Sequence, residues 1–173
     1  ISTFNLSMTS QEGVLLTNVI SSLKSTNFTL EDIKKSIRSD HNSSNETKNT
    51  VESLFKAAQS WGIIATSGEG THIPDLIKVG QTTVLDLSIY SSIGAFNVRA
   101  LVIGLISRTL FNTRIEARKK EELQSLQHGT DYLSYSTKRE TPLIWLFVDE
   151  AHEFLPRDSK TPATEALVQI LRE

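Results

Sequence analysis

The chain has 173 residues, 38% of them hydrophobic and 22% charged, with a net charge of −2; that allows one sizeable core, is short for two full domains, and provides no global positive field to draw the chain to nucleic acid or an acidic membrane surface. It has no cysteine, which excludes disulfide frameworks, thiol catalysis and cysteine-ligated zinc and agrees with a reducing, cytoplasmic setting. No apolar run approaches the roughly 20 residues of a membrane-spanning helix, and the N-terminus lacks the charged and apolar regions of a signal peptide.

Between Ser10 and Ser25, Val14, Leu15, Val19, Ile20 and Leu23 recur at helical spacing and predict an amphipathic packing helix. Thr29-Leu-Glu-Asp32 has the form of a capping box, with Asp32 in place of the usual Glu, and Ile33 and Ile37 give the second helix a short apolar stripe. Residues 38–48 are polar and rich in Ser and Asn, which predicts a loop. Val51, Leu54, Phe55, Ala58 and Trp61 then mark a third helix ending near Gly62. Residues 63–73 read as two short extended pieces around a glycine turn. Three helices and a small hairpin are also the order of a winged-helix module, so a DNA-binding or protein-interaction module is the alternative reading of residues 1–75. Charge opposes the DNA version. From Ile1 to Thr66 the bases Lys24, Lys34, Lys35, Arg38, Lys48 and Lys56 are matched by Glu12, Glu31, Asp32, Asp40, Glu46 and Glu52, whereas phosphate neutralisation supplies most of the affinity of a DNA-reading surface.

Residues 82–88, Thr-Thr-Val-Leu-Asp-Leu-Ser, are β-branched and apolar and predict a strand. Asp86 near its end either faces a site there or caps the following turn through Ser88, Ser91 or Ser92. A crossover helix is predicted from Asn97 to about Leu123. Its first half (Val98, Leu101, Val102, Ile103, Leu105, Ile106, Leu110) is apolar nearly all round and suits burial against a sheet, while its second half is charged. Gln124 to Thr141, with Tyr132 and Tyr135, is a long polar connection that predicts a mobile or functional loop.

Leu143 to Val148 has no polar residue and does not alternate, as expected of a central parallel strand covered on both faces. It runs into Asp149 and Glu150, and ligands of open α/β sheets gather at that end of such strands. The plainer alternative is a core strand followed by a solvated acidic turn. A zinc-protease site is excluded, because the H-E-x-x-H pattern begun by His152-Glu153 ends on Pro156. After the polar loop Arg157-Asp-Ser-Lys160, Thr161 and Pro162 begin a closing helix with Ala166, Leu167, Ile170 and Leu171 on its apolar side.

Asp149-Glu-Ala-His-Glu-Phe-Leu-Pro156, with Val168-Gln-Ile-Leu-Arg-Glu173 beyond it, resembles the hexameric ATPases of the HerA/FtsK superfamily, most closely HerA-like DNA translocases. The same Asp-Glu-Ala-His occurs in DEAH-box helicases, but nothing upstream here matches their other motifs. The resemblance implies an α/β fold: a partial RecA-like P-loop NTPase core with parallel strands over residues 76–173, carrying an N-terminal helical insertion over residues 1–75. It implies ATP and Mg²⁺ as ligands, with Asp149 as the Walker B residue holding Mg²⁺ through water and Glu150 as the catalytic base. It further implies an ATP-driven, ring-forming DNA translocase or helicase, a homo-hexamer with DNA as partner and a NurA-type nuclease beside it. In such rings Arg157, Lys160 and Arg172 would sense phosphate or a neighbouring subunit, but solvated surface charge is the simpler account of each. A G-x-x-x-x-G-K-[ST] loop, which cradles phosphates in this class, is nowhere in the sequence. The chain also begins at Ile1 and stops inside a helical pattern at Leu171-Arg-Glu173. The expectation is therefore a fragment that is inactive alone.

Overall fold

The computed structural model describes residues 2–4, 6–24, 28–65, 70–90, 96–127 and 141–172, and every regular element among them is helical. The chain divides into two units, Ile1–Gly70 and Thr71–Glu173.

The first unit is three helices whose ends are written in local side chains. The first, α1 (Gln11–Leu23), starts at Ser10, whose hydroxyl accepts from the Gly13 amide at 3.1 Å. Gly13 has no substitute there, because a Cβ would lie 2.0 Å from the Ser7 carbonyl oxygen. The second, α2 (Leu30–Ser39), begins with the predicted capping box: the Asp32 amide donates to the Thr29 hydroxyl at 3.3 Å, and the Thr29 amide donates back to Asp32 Oδ2 at 2.9 Å. These bonds to Thr29 hold the Asp32 carboxyl below the usual carboxylate range. The third, α3 (Asn45–Ser60), is capped by Ser44, which accepts from the Thr47 amide at 3.1 Å. The loop predicted over residues 38–48 is therefore shorter. Ser and Asn signal helix caps as readily as loops, and here α2 runs on to Ser39 while α3 starts at Asn45.

Leu15, Leu16 and Val19 of α1, Ile33 and Ile37 of α2, and Val51 and Phe55 of α3 form one buried cluster, with Leu6, Ile20, Leu23 and Leu30 packed around it. Burial of each such side chain contributes about 1.5–3 kcal/mol, so this cluster rather than the exposed Arg38–Glu52 pair between α2 and α3 holds the unit together. Gly62, at φ 70°, turns the chain out of α3. Part of the predicted hairpin, residues 66–69, lies outside the described residues; residues 63–65 and 70–72 flanking it form no strand.

The second unit corrects the expected fold. Neither residues 82–88 nor residues 143–149 form a strand, and no sheet exists among the described residues, so the α/β RecA-like core with parallel strands is not what this chain forms. The physical reason is the lack of a ladder partner: a strand's N–H and C=O groups need a neighbour about 4.8 Å away, and an apolar run read as covered on both faces needs layers to cover it. The run here is uncovered, with Trp145 83% and Phe147 87% exposed. Val84 in the other segment is 83% exposed, and that segment makes local bonds instead, Thr83 Oγ1 to the Leu76 carbonyl at 2.7 Å and the Ser88 amide to Asp86 Oδ1 at 2.9 Å.

The crossover helix does exist, as α4 (Phe96–Gln127), but it packs on a helix rather than a sheet. Its buried stripe is narrow: Val98, Ala100, Gly104 and Ser107 are covered while Leu105 faces outward. The partner is α5 (Thr164–Arg172) with the turn before it. Ala100, Phe154, Ala163 and Leu167 form the buried cluster, and Ile103, Val148 and Leu155 close around it. Further along α4, Arg114 pairs with Glu121 at 2.9 Å and Arg118 with Glu122 at 3.0 Å. The polar connection with Tyr132 and Tyr135 lies mostly in residues 128–140, outside the described set. No helix among the described residues is long and apolar enough to cross a membrane.

Candidate functional site

Asp149 and Glu150 occupy a turn between the irregular apolar segment and a single 3₁₀ turn, Ala151–Glu153. Glu150 has φ 50° and ψ 41°, the left-handed conformation, and is the one described residue other than glycine with positive φ. A side chain held there costs of order 1 kcal/mol and persists only where the surroundings impose it. The turn supplies part of that constraint. The Glu153 amide donates to the Glu150 carbonyl at 2.9 Å, the Phe154 and Leu155 amides both donate to the Ala151 carbonyl at 3.0 Å, and the Glu150 amide donates to Asp149 Oδ1 at 2.9 Å.

The rest of the constraint comes from residues downstream. The Phe154 ring is buried in the α4–α5 cluster, and its carbonyl oxygen accepts from the hydroxyls of Thr161 at 2.8 Å and Thr164 at 3.1 Å. Thr161 also accepts from the Ala163 amide at 3.2 Å, but α5 begins only at Thr164, so Thr161 and Pro162 lie in the turn before the helix and Thr161 anchors the acidic turn without being the helix cap expected of it. Arg99 in the fourth position of α4 reaches Glu153, Nη2 to Oε2 at 3.1 Å.

Both carboxylates at positions 149 and 150 are exposed, and Glu150 Oε2 lies 3.2 Å from His152 Nδ1 with both side chains mostly in solvent. Chemically, two adjacent exposed carboxylates suit Mg²⁺ brought in with a phosphate group, because Mg²⁺ keeps most of its waters and takes only one or two carboxylates from protein. They do not make a protein-only metal cage: no group of three or more His, Cys, Asp or Glu able to hold a metal occurs among the described residues. Asp149 and Glu150 thus offer at most an outer contact to a hydrated divalent cation.

The remaining predicted site residues are not brought to this pair. Arg157 and Lys160 stand exposed on the loop after Pro156, and Arg172 is exposed in the last turn of α5. No hydrogen bond or ion pair joins any of the three to Asp149 or Glu150 among the described residues. Asp86 is engaged with its own turn, and its bonds to Ser88 hold its carboxyl below the usual range, which is the capping alternative. Arg99 and the Thr161–Thr164 pair were missed as supports of the turn. The apolar Phe154-Leu155 step directly after the acidic residues was the one sequence signal that the turn is anchored. No protein-family model, no curated protein and no solved structure matches the chain.

Proposed function

We propose that this chain supplies the metal-holding and water-activating carboxylates of an ATP-driven DNA translocase or helicase. The observation that carries the reading is the pair Asp149–Glu150, exposed side by side on a turn that keeps Glu150 in the left-handed conformation against its intrinsic preference. The likeness of residues 149–156 and 168–173 to HerA-like ATPases supports the same assignment; a sheet does not enter into it. In this reading Asp149 holds Mg²⁺ through water, and Glu150 accepts the proton of the water that attacks the terminal phosphate. Bound Mg²⁺ neutralises charge on the phosphate oxygens. Asp149 Oδ1 accepts from the Glu150 amide at 2.9 Å.

No glycine-rich phosphate loop occurs in these 173 residues, so the cradle for the phosphates comes from other polypeptide, and the chain alone hydrolyses no ATP. DNA, a homo-hexameric ring, a NurA-type nuclease and a cytoplasmic setting complete the proposal and rest on the likeness alone. The test compares two variants of the full-length protein. Glu150→Gln removes the base but keeps the metal's partner, so ATP still binds; Asp149→Asn weakens Mg²⁺-dependent nucleotide binding as well as turnover. Equal nucleotide affinity in the two variants would count against these separate roles.

A further inference from the structure

We infer that Arg99 is a positioning residue for Glu150, acting through Glu153. The inference rests on the hydrolytic role proposed for Glu150 and adds to it the device that holds the backbone turn carrying that carboxylate.

Glu150 and Glu153 are the two ends of one 3₁₀ turn, joined by the 2.9 Å bond from the Glu153 amide to the Glu150 carbonyl. Fixing Glu153 in space therefore limits how the peptide after Glu150 can rotate, and that rotation is what the left-handed conformation depends on. Arg99 fixes it from a different element. Its Nη2 lies 3.1 Å from Glu153 Oε2, with the two side chains only 25% and 36% exposed. The pair between α4 and α5 themselves, Arg108–Glu165, is longer at 3.7 Å and much more exposed, so solvent screens it more strongly. A cation four residues into α4 is also badly placed for the helix itself, because the positive end of the helix dipole is there. The carboxylate of Glu153 offsets both charges, which gives Arg99 a reason to be at this position that α4 alone does not.

Phe154 provides the second fixed point, its ring buried and its carbonyl held by Thr161 and Thr164. A buried ring locates the turn but leaves it free to roll about the chain direction. The ion pair one residue earlier removes that freedom. The two together hold the backbone at Glu150, from which its carboxylate projects.

The experiment uses the full-length protein with Arg99→Met, which keeps the stem and removes the charge, Glu153→Gln, which removes it from the other end, and the reversed pair Arg99→Glu/Glu153→Arg. Two quantities are read: amide hydrogen exchange at positions 153–155, and kcat and KM for Mg²⁺·ATP. Each single variant should exchange these amides about ten-fold faster while the amides of α1–α3 stay as in the wild type. It should also lose roughly ten-fold in kcat with KM within about two-fold, and the reversed pair should recover most of both losses. Unchanged exchange in Arg99→Met, or faster exchange with a wild-type kcat, overturns the inference. A merely stabilising role would not split kcat from KM or respond to charge reversal. If instead Glu150→Gln keeps its turnover, the hydrolytic reading falls, and the exchange data alone decide whether Arg99 holds the turn.

Discussion

Gly104 of α4 and Pro162 ahead of α5 approach so closely that a Cβ on residue 104 would lie 2.6 Å from the Pro162 carbonyl oxygen and 3.1 Å from the Cα of Ala163. This contact sets how near α4 comes to the segment that anchors the acidic turn. Gly104→Ala gains about 1 kcal/mol of helix propensity, but the clash is with backbone that cannot rotate away, and overpacking of this kind costs about 1–3 kcal/mol. We expect a net loss of up to roughly 2 kcal/mol and a weakened α4–α5 contact. Urea unfolding followed by the loss of helical circular dichroism measures it, and a more stable Gly104→Ala protein would show that the contact relaxes freely.

Glu150→Gly should move stability the other way. Glycine adopts φ 50° without a steric penalty, so relieving the strain stabilises the second unit by about 1 kcal/mol while the proposed base is lost. Thermal unfolding of the variant beside Glu150→Ala separates the two effects, since alanine removes the carboxylate and keeps the strain. Equal melting temperatures for the two variants would mean that position 150 is not strained.

Local signals carried the first unit and the two helices of the second, and they failed at the two segments read as strands for one reason. The Thr29–Asp32 capping box, the Ile33–Ile37 stripe and the stop at Gly62 each depend on residues a few positions apart, so they are legible in the sequence. Leu143–Val148 and residues 82–88 were read as strands from composition, yet strand formation depends on what lies beside and above the segment. The chain places nothing there among the described residues, and Trp145 and Phe147 stay in solvent. The candidate site divides in the same way. Asp149 and Glu150 were visible as neighbours, whereas Arg99 comes from the far side of α4 in sequence and nothing in its own neighbourhood announces Glu153.

The first unit should lose stability in acid through identifiable carboxylates. The bonds from Thr29 depress the Asp32 pKa, and Arg38 depresses that of Glu52 through a hydrogen bond and its charge. A carboxyl whose folded pKa lies below its unfolded value of about 4 contributes stability that is complete above that value and is lost as pH falls through the folded pKa. Unfolding midpoints of residues 1–70 should therefore be flat from neutral pH down to about 5 and fall below about 4. Asp32→Asn should flatten part of that fall, and an unaltered acid slope in this variant would remove the capping box from the account.

Residues 1–70 should bind duplex DNA weakly or not at all. Their six Lys and Arg are outweighed by seven Asp and Glu, so the unit carries no net positive charge with which to release counterions. A titration at moderate salt that gave nanomolar affinity with a steep salt dependence would favour the winged-helix alternative for this unit and make it, rather than the acidic turn, the centre of function.

The most direct measurement of the central claim is steady-state ATP hydrolysis by the full-length protein carrying Glu150→Gln, with nucleotide binding measured on the same sample. The substitution keeps the side chain's size and leaves Asp149 in place, so the account predicts retained ATP binding and a fall in turnover of roughly 10²- to 10⁴-fold, the usual contribution of a general base. Near-wild-type turnover in Glu150→Gln would contradict it, and the Asp149–Glu150 pair would then be only a solvated acidic turn after an apolar segment.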